Sequence, residues 1–127
     1  MKISQDAMLA AASNYLDYLS TRQRVIASNL ANIDTPGFHV KDLTFKRELI
    51  AASGQELPGS TLMTSRPTSF EVEEVPGLEE KGDGNNVNLD REMTQLSETQ
   101  IKYNMMVQML TRKFRILHMA ASDGRQG

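Results

Sequence analysis

Cysteine is absent from the chain. That removes disulfides, thiolate metal ligands and cysteine nucleophiles together, and it leaves the redox compartment open. Long apolar runs are missing too: none approaches the roughly 18 residues a membrane span requires. The N-terminus has no basic region followed by an apolar run, so no cleavable signal peptide is expected. A place of action outside the cytoplasm would then need another export route. Charge of one sign is also lacking, the formal net charge being -2, so no electrostatic footprint for nucleic acid is visible.

The chemistry of an enzyme is equally hard to find. His39 and His118 lie far apart and neither stands in an HExxH or HxH pattern. Glu73-Glu74 and Glu79-Glu80 read as solvated charge in a loop. Asp83-Gly-Asn-Asn-Val-Asn begins like a calcium loop but fails it, with Val87 at a ligand position, Asn88 where glycine belongs and Thr94 in place of the twelfth-position glutamate. There is no phosphate-binding glycine loop and no GxSxG elbow. No catalytic residue, no cofactor and no metal ligand is assigned.

What remains is two long helical patterns around a different middle. A chain of 127 residues is ordinarily one domain with one modest core. The boundaries read as a helix over about 4–33, turn, loop and short extended segments over 34–87, and a helix over 88–122. In the first helix, Ser4 is a candidate N-cap, and Leu9, Ala12, Leu16, Leu19, Gln23, Ile26, Leu30 and Ile33 repeat at heptad spacing. In the second, Asn88 is the N-cap and Gly124 a stop. Its expected seam is Leu89, Met93, Leu96, Gln100, Tyr103, Val107, Leu110, Phe114, Leu117 and Ala121.

Gln23 and Gln100 interrupt the two seams, either as a polar pair that fixes register or as amides reaching water at the edge. Tyr15, Tyr18 and Val25 suggest a second covered surface on the first helix. Ile101, Met105, Met109, Ile116 and Met119 form a second apolar stripe on the second, which asks for partner subunits. The fold class expected is mostly α, two long terminal helices pairing as an antiparallel coiled coil with an irregular, partly extended middle.

In that middle, Val40–Ile50 is compatible with a start as strand and a finish as short helix, with Leu43, Phe45, Leu49 and Ile50 as anchors. Ala51–Pro67 is rich in glycine, serine, threonine and proline and reads as mobile. Phe70, Val72 and Val75 give a weak strand signal. The whole reads as an excursion between the helices.

The most specific string is Ala27–Phe38. Pro36 stops the helix, and Pro36-Gly37 suits a type II turn with positive φ at Gly37. Ser28, Asn29 and Asn32 would line one polar flank. The string resembles the N-terminal signature of the axial proteins of the bacterial flagellum. Ser28, Asn29, Leu30, Ala31, Asn32, Thr35, Pro36, Gly37 and Phe38 fill every defined position of it. Farther on, Asp83–Glu92, Ile101-Lys-Tyr-Asn and Leu110-Thr-Arg-Lys-Phe resemble the C-terminal signature of proximal rod subunits. Asn88 stands where that family often has Asp.

The resemblance implies a structural subunit of the proximal rod of the basal body, exported by the flagellar type III system and assembled in the periplasm. It would join the MS ring and export gate to the rod and transmit torque. Implied partners are other flagellar proximal rod proteins, the rod–ring adaptor protein FliE, the MS-ring protein and further copies of the chain. Two alternatives stand beside it: another flagellar rod subtype, and a helical-hairpin adaptor gripping a partner's helix through the methionine-rich stripe. No nucleic acid or small-molecule substrate is implied.

Overall fold

A computed structural model describes residues 5–45 and 70–124. Helix α1 spans Gln5–Ala31, strand β1 Lys41–Phe45, strand β2 Phe70–Glu74 and helix α2 Leu89–Asp123. None of the described helices is long and apolar enough to cross a membrane.

The two helices pack against each other as an antiparallel pair. Asn29 meets Glu92, Gln23 meets Gln100 and Met8 meets Lys113, so the pairs run in opposite directions along the two elements. Each end follows from local chemistry. Asn88, with φ -109° and ψ 118°, accepts the Arg91 amide on its side chain at 3.0 Å and so satisfies one of the free donors of the first turn. Asp90 and Glu92 place negative charge there, as the helix dipole favours. Helix α1 ends two residues earlier than its apolar spacing suggests, and the chain leaves it through tight turns closed by Ile33 on Leu30 and Thr35 on Asn32. Lys113 and Arg115 lie too far from the end of α2 to act on its dipole; its last turn has no basic residue.

Strands β1 and β2 form an antiparallel two-stranded sheet, with Leu43 opposite Val72 and Lys41 opposite Glu74. This sheet is laid on α1, so the middle of the chain is not a free excursion. Tyr18 meets the Phe70 ring edge to face at 6.0 Å, the second covered surface of α1. Residues 46–50, where the possible short helix falls, and Ala51–Pro67, read as mobile, lie outside the described residues, as does Ser4.

The apolar core is small: Leu19, Ile26, Val40, Leu43 and Val87 are buried. Beside them Asn29, Asn85, Asn86, Glu92 and Thr99 are buried as well. Polar groups out of water are stable only when paired. Among the described residues, no buried side-chain nitrogen or oxygen lacks a partner.

Candidate assembly site

The buried polar residues gather where α1 ends, β1 begins and α2 starts. Asn29 is 1% exposed. Its Nδ2 donates to the Lys41 carbonyl at 2.8 Å and its Oδ1 accepts the Lys41 N–H at 3.1 Å. The carboxamide thus pairs with the Lys41 peptide as a neighbouring strand would. The same Nδ2 also donates to Glu92 Oε2 on α2 at 3.1 Å, while Arg91 Nη1 holds Glu92 Oε1. One side chain therefore ties together α1, β1 and α2.

Asn85 forms a second tie. Its Nδ2 donates to the carbonyls of Asn32 and Thr35, each at 2.8 Å, and its Oδ1 accepts the Val87 N–H at 2.8 Å. It gives a second hydrogen bond to two carbonyls of the turns that follow α1, which already accept the Thr35 and Phe38 N–H groups. Asn86 supplies a third: its Oδ1 accepts the Val40 N–H at 2.7 Å, and its own N–H donates to the Phe38 carbonyl at 3.2 Å.

Between these ties runs the Pro36-Gly37 turn. The Phe38 N–H closes it on the Thr35 carbonyl at 3.2 Å, and Gly37 has φ +74°. That conformation is easy for glycine and strained for other residues. The Gly37 N–H donates to the Asp83 carbonyl at 3.0 Å, drawing in the turn at Gly84, which also has positive φ. The Asn32 side chain bonds the Ser28 carbonyl and the Thr35 hydroxyl, and Lys41 Nζ lies 5.9 Å from the centre of the Phe38 ring.

A further cross-link lies two turns back along α1. Arg22 grips Asp42 with two nitrogens, at 3.1 and 3.2 Å, and also reaches Gln95 Oε1 on α2. Burial disfavours the Arg22 cation, but its hydrogen bonds to Asp42 and that carboxylate's charge outweigh the loss and leave the pKa raised. Burial likewise pushes the Tyr18 phenol up, against the lowering by Arg22.

The predicted motif residues divide between interior and surface. Asn29 is buried, Leu30, Asn32 and Phe38 are half-buried, and Ser28, Ala31, Thr35, Pro36 and Gly37 are exposed. Asn29 thus leaves the polar flank expected for it and points inward. On α1, Leu19 and Ile26 are buried and Leu9, Leu16 and Leu30 are half-buried, as is Ile33 just beyond its end.

On α2 the expected seam is displaced. Leu96, Tyr103, Leu110 and Leu117 are half-buried, but Leu89, Met93, Val107 and Phe114 are exposed, as is Gln100. The inward line instead alternates through Glu92, Leu96, Thr99, Tyr103, Met106, Leu110, Lys113 and Leu117. Heptad spacing is kept, and every other position moves by one residue. The polar members of that line find partners: Glu92 on Asn29, Thr99 on the Gln95 carbonyl and Lys113 on Met8 sulfur. Gln23 does pair with Gln100, at 2.8 Å, at the exposed edge of the interface.

Sequence reasoning missed Asn85, Asn86, Glu92, Thr99 and Arg22 as organising residues. Asn85-Asn86 stands in glycine-rich turn chemistry, and nothing local tells a buried asparagine from an exposed one. Glu92 was legible only as a first-turn acid.

Paired terminal helices joined by a polar knot, with one helix apolar on its outer side, are the architecture of an assembly subunit. The chain matches the family described as flagella basal body rod protein over residues 9–39, which contain the α1 seam and the knot's first strand of residues. It is 33% identical over 117 residues to the flagellar basal body rod protein FlgB of Salmonella typhimurium, covering 79% of this chain and 82% of that one. Against the FlgB of Escherichia coli it is 31% identical over 125 residues, covering 84% and 86%. Against that of Borrelia hermsii it is 34% identical over 122 residues, covering 82% and 87%. The chain belongs to the FlgB family of flagellar basal body rod proteins, and is a structural subunit of the rod.

Proposed function

We propose that the chain is a proximal subunit of the rod that joins the MS ring and export gate to the rest of the rod and passes torque between them. Its neighbours are then other proximal rod proteins, the rod–ring adaptor protein FliE, the MS-ring protein and further copies of itself, and it reaches them through the flagellar type III route. The observation that carries this reading is the knot at Asn29, Asn85 and Asn86, which fixes how the middle of the chain leaves the helical pair. A torque-bearing subunit needs such a joint to be stiff, and fully satisfied buried hydrogen bonds provide that.

In this reading the exposed turn residues Thr35, Pro36 and Gly37 bring the chain back onto α1 as β1, so that the exposed face of the sheet meets an adjacent subunit while the terminal helices line the inner wall. The test is Gly37→Val. A β-branched residue at positive φ carries a steric penalty, although a Cβ there would meet nothing within 4 Å. Secretion and helix content should stay near normal while incorporation into basal bodies is lost. Thr35→Ala, whose side chain bonds only Asn32, should be mild. Undiminished co-purification with rod proteins and normal swimming in Gly37→Val would refute a role for this turn in assembly.

A further inference from the structure

The two ends of the described molecule carry opposite charge. From Phe70 to Asn86 stand Glu71, Glu73, Glu74, Glu79, Glu80 and Asp83 against one cation, Lys81. Toward the end of α2 stand Arg112, Lys113 and Arg115, with Asp123 closing the helix, while Lys102 is paired with Glu98 at 2.6 Å. His39 sits between Glu74 and Glu80, at 3.3 and 3.1 Å, and so faces only part of the acidic set.

Both charged regions also expose apolar side chains. Val72, between Glu71 and Glu73, is 51% exposed. On α2, Arg112 interrupts the stripe Ile101, Met105, Met109, Ile116 and Met119, in which Ile116 is 66% exposed. Met109, Arg112, Lys113, Ile116 and Leu117 border a shallow groove of about 370 Å³.

The regions cannot neutralise each other within one chain. Leu89 to Lys113 spans on the order of 36 Å of helix at about 1.5 Å per residue, several screening lengths at physiological salt. Pairing like ends of two copies would set like charges together. Pairing unlike ends brings the arginines onto the glutamates and the α2 groove onto Val72.

We propose that copies of this chain associate head to tail, the basic, apolar end of α2 in one copy docking on the acidic β2 and its following loop in the next. This rests on the rod-subunit reading and names one contact within it. Such a contact joins two different surfaces, so it continues from copy to copy and does not close on itself as a two-fold dimer does.

The experiment measures self-association of the full chain across a concentration series, at low and high salt, by sedimentation. Arg112→Glu/Arg115→Glu and Glu73→Lys/Glu79→Lys should each weaken association about tenfold or more, because each sets like charges across the contact. The chain carrying all four changes restores complementarity with the signs exchanged and should associate again. Mixing the two double variants should also restore association, since every end of one variant meets an end of opposite sign on the other, through the native pair at one junction and the exchanged pair at the next. Circular dichroism should be unchanged throughout.

Association indifferent to both double variants, or unrestored in the fourfold variant, would overturn the proposal. Binding of the basic end to vesicles of anionic phospholipid, with self-association unaffected, would overturn it in favour of a membrane surface. Incorporation into basal bodies is scored separately. A chain that incorporates normally while failing the sedimentation test loses this contact and keeps its place in the rod.

Discussion

Asn29 shows how much one side chain can hold when every polar atom is used. It contacts a backbone donor, a backbone acceptor and a carboxylate on the other helix, all out of water. Asn29→Ala would leave the Lys41 peptide unpaired and Glu92 without its neutral partner, at a cost of about 3 kcal/mol. Asn29→Asp keeps the shape but removes both donors and sets a second carboxylate against Glu92, so it should be worse still. Urea unfolding of the three chains checks the order. A near-neutral Asn29→Ala would show that the knot contributes little.

At this scale the sequence was legible only where the cause is local. The cap at Asn88 and the turn at Gly37 depend on residues within three positions. Asn29, Asn85 and Asn86 are buried by partners some 50 positions away in several cases, which no short window contains.

At the scale of elements, both long helices and the strand at Phe70–Glu74 follow from spacing. The face α2 turns to its partner does not. Two apolar stripes compete on α2, and a periodicity argument selects the richer one. The true interface takes Glu92 and Lys113, which meet Asn29 and Met8 of α1 there, and Thr99, whose hydroxyl is satisfied by the Gln95 carbonyl of its own helix, leaving Met93, Val107 and Phe114 outside. The two registers predict different outcomes. Leu110→Asp should destabilise the isolated chain by about 2 kcal/mol, whereas Phe114→Asp, at a side chain 53% exposed, should stay within about 0.5 kcal/mol. Thermal melts of both variants decide between them, and equal losses would restore the seam read from spacing.

For the whole molecule, the account depends on the knot behaving as one rigid joint that links α1, the sheet and α2. The Val40 amide lies inside it, buried and bonded to Asn86 Oδ1, 46 positions away. Amide hydrogen exchange of the full chain measures that joint directly. Val40 and Lys41 should exchange as slowly as the centres of the two helices, opening only with the whole fold, and Asn86→Ala should speed Val40 by orders of magnitude while mid-helix amides stay protected. Rapid exchange at Val40 and Lys41 in the unmodified chain, with the helices still protected, would contradict the account.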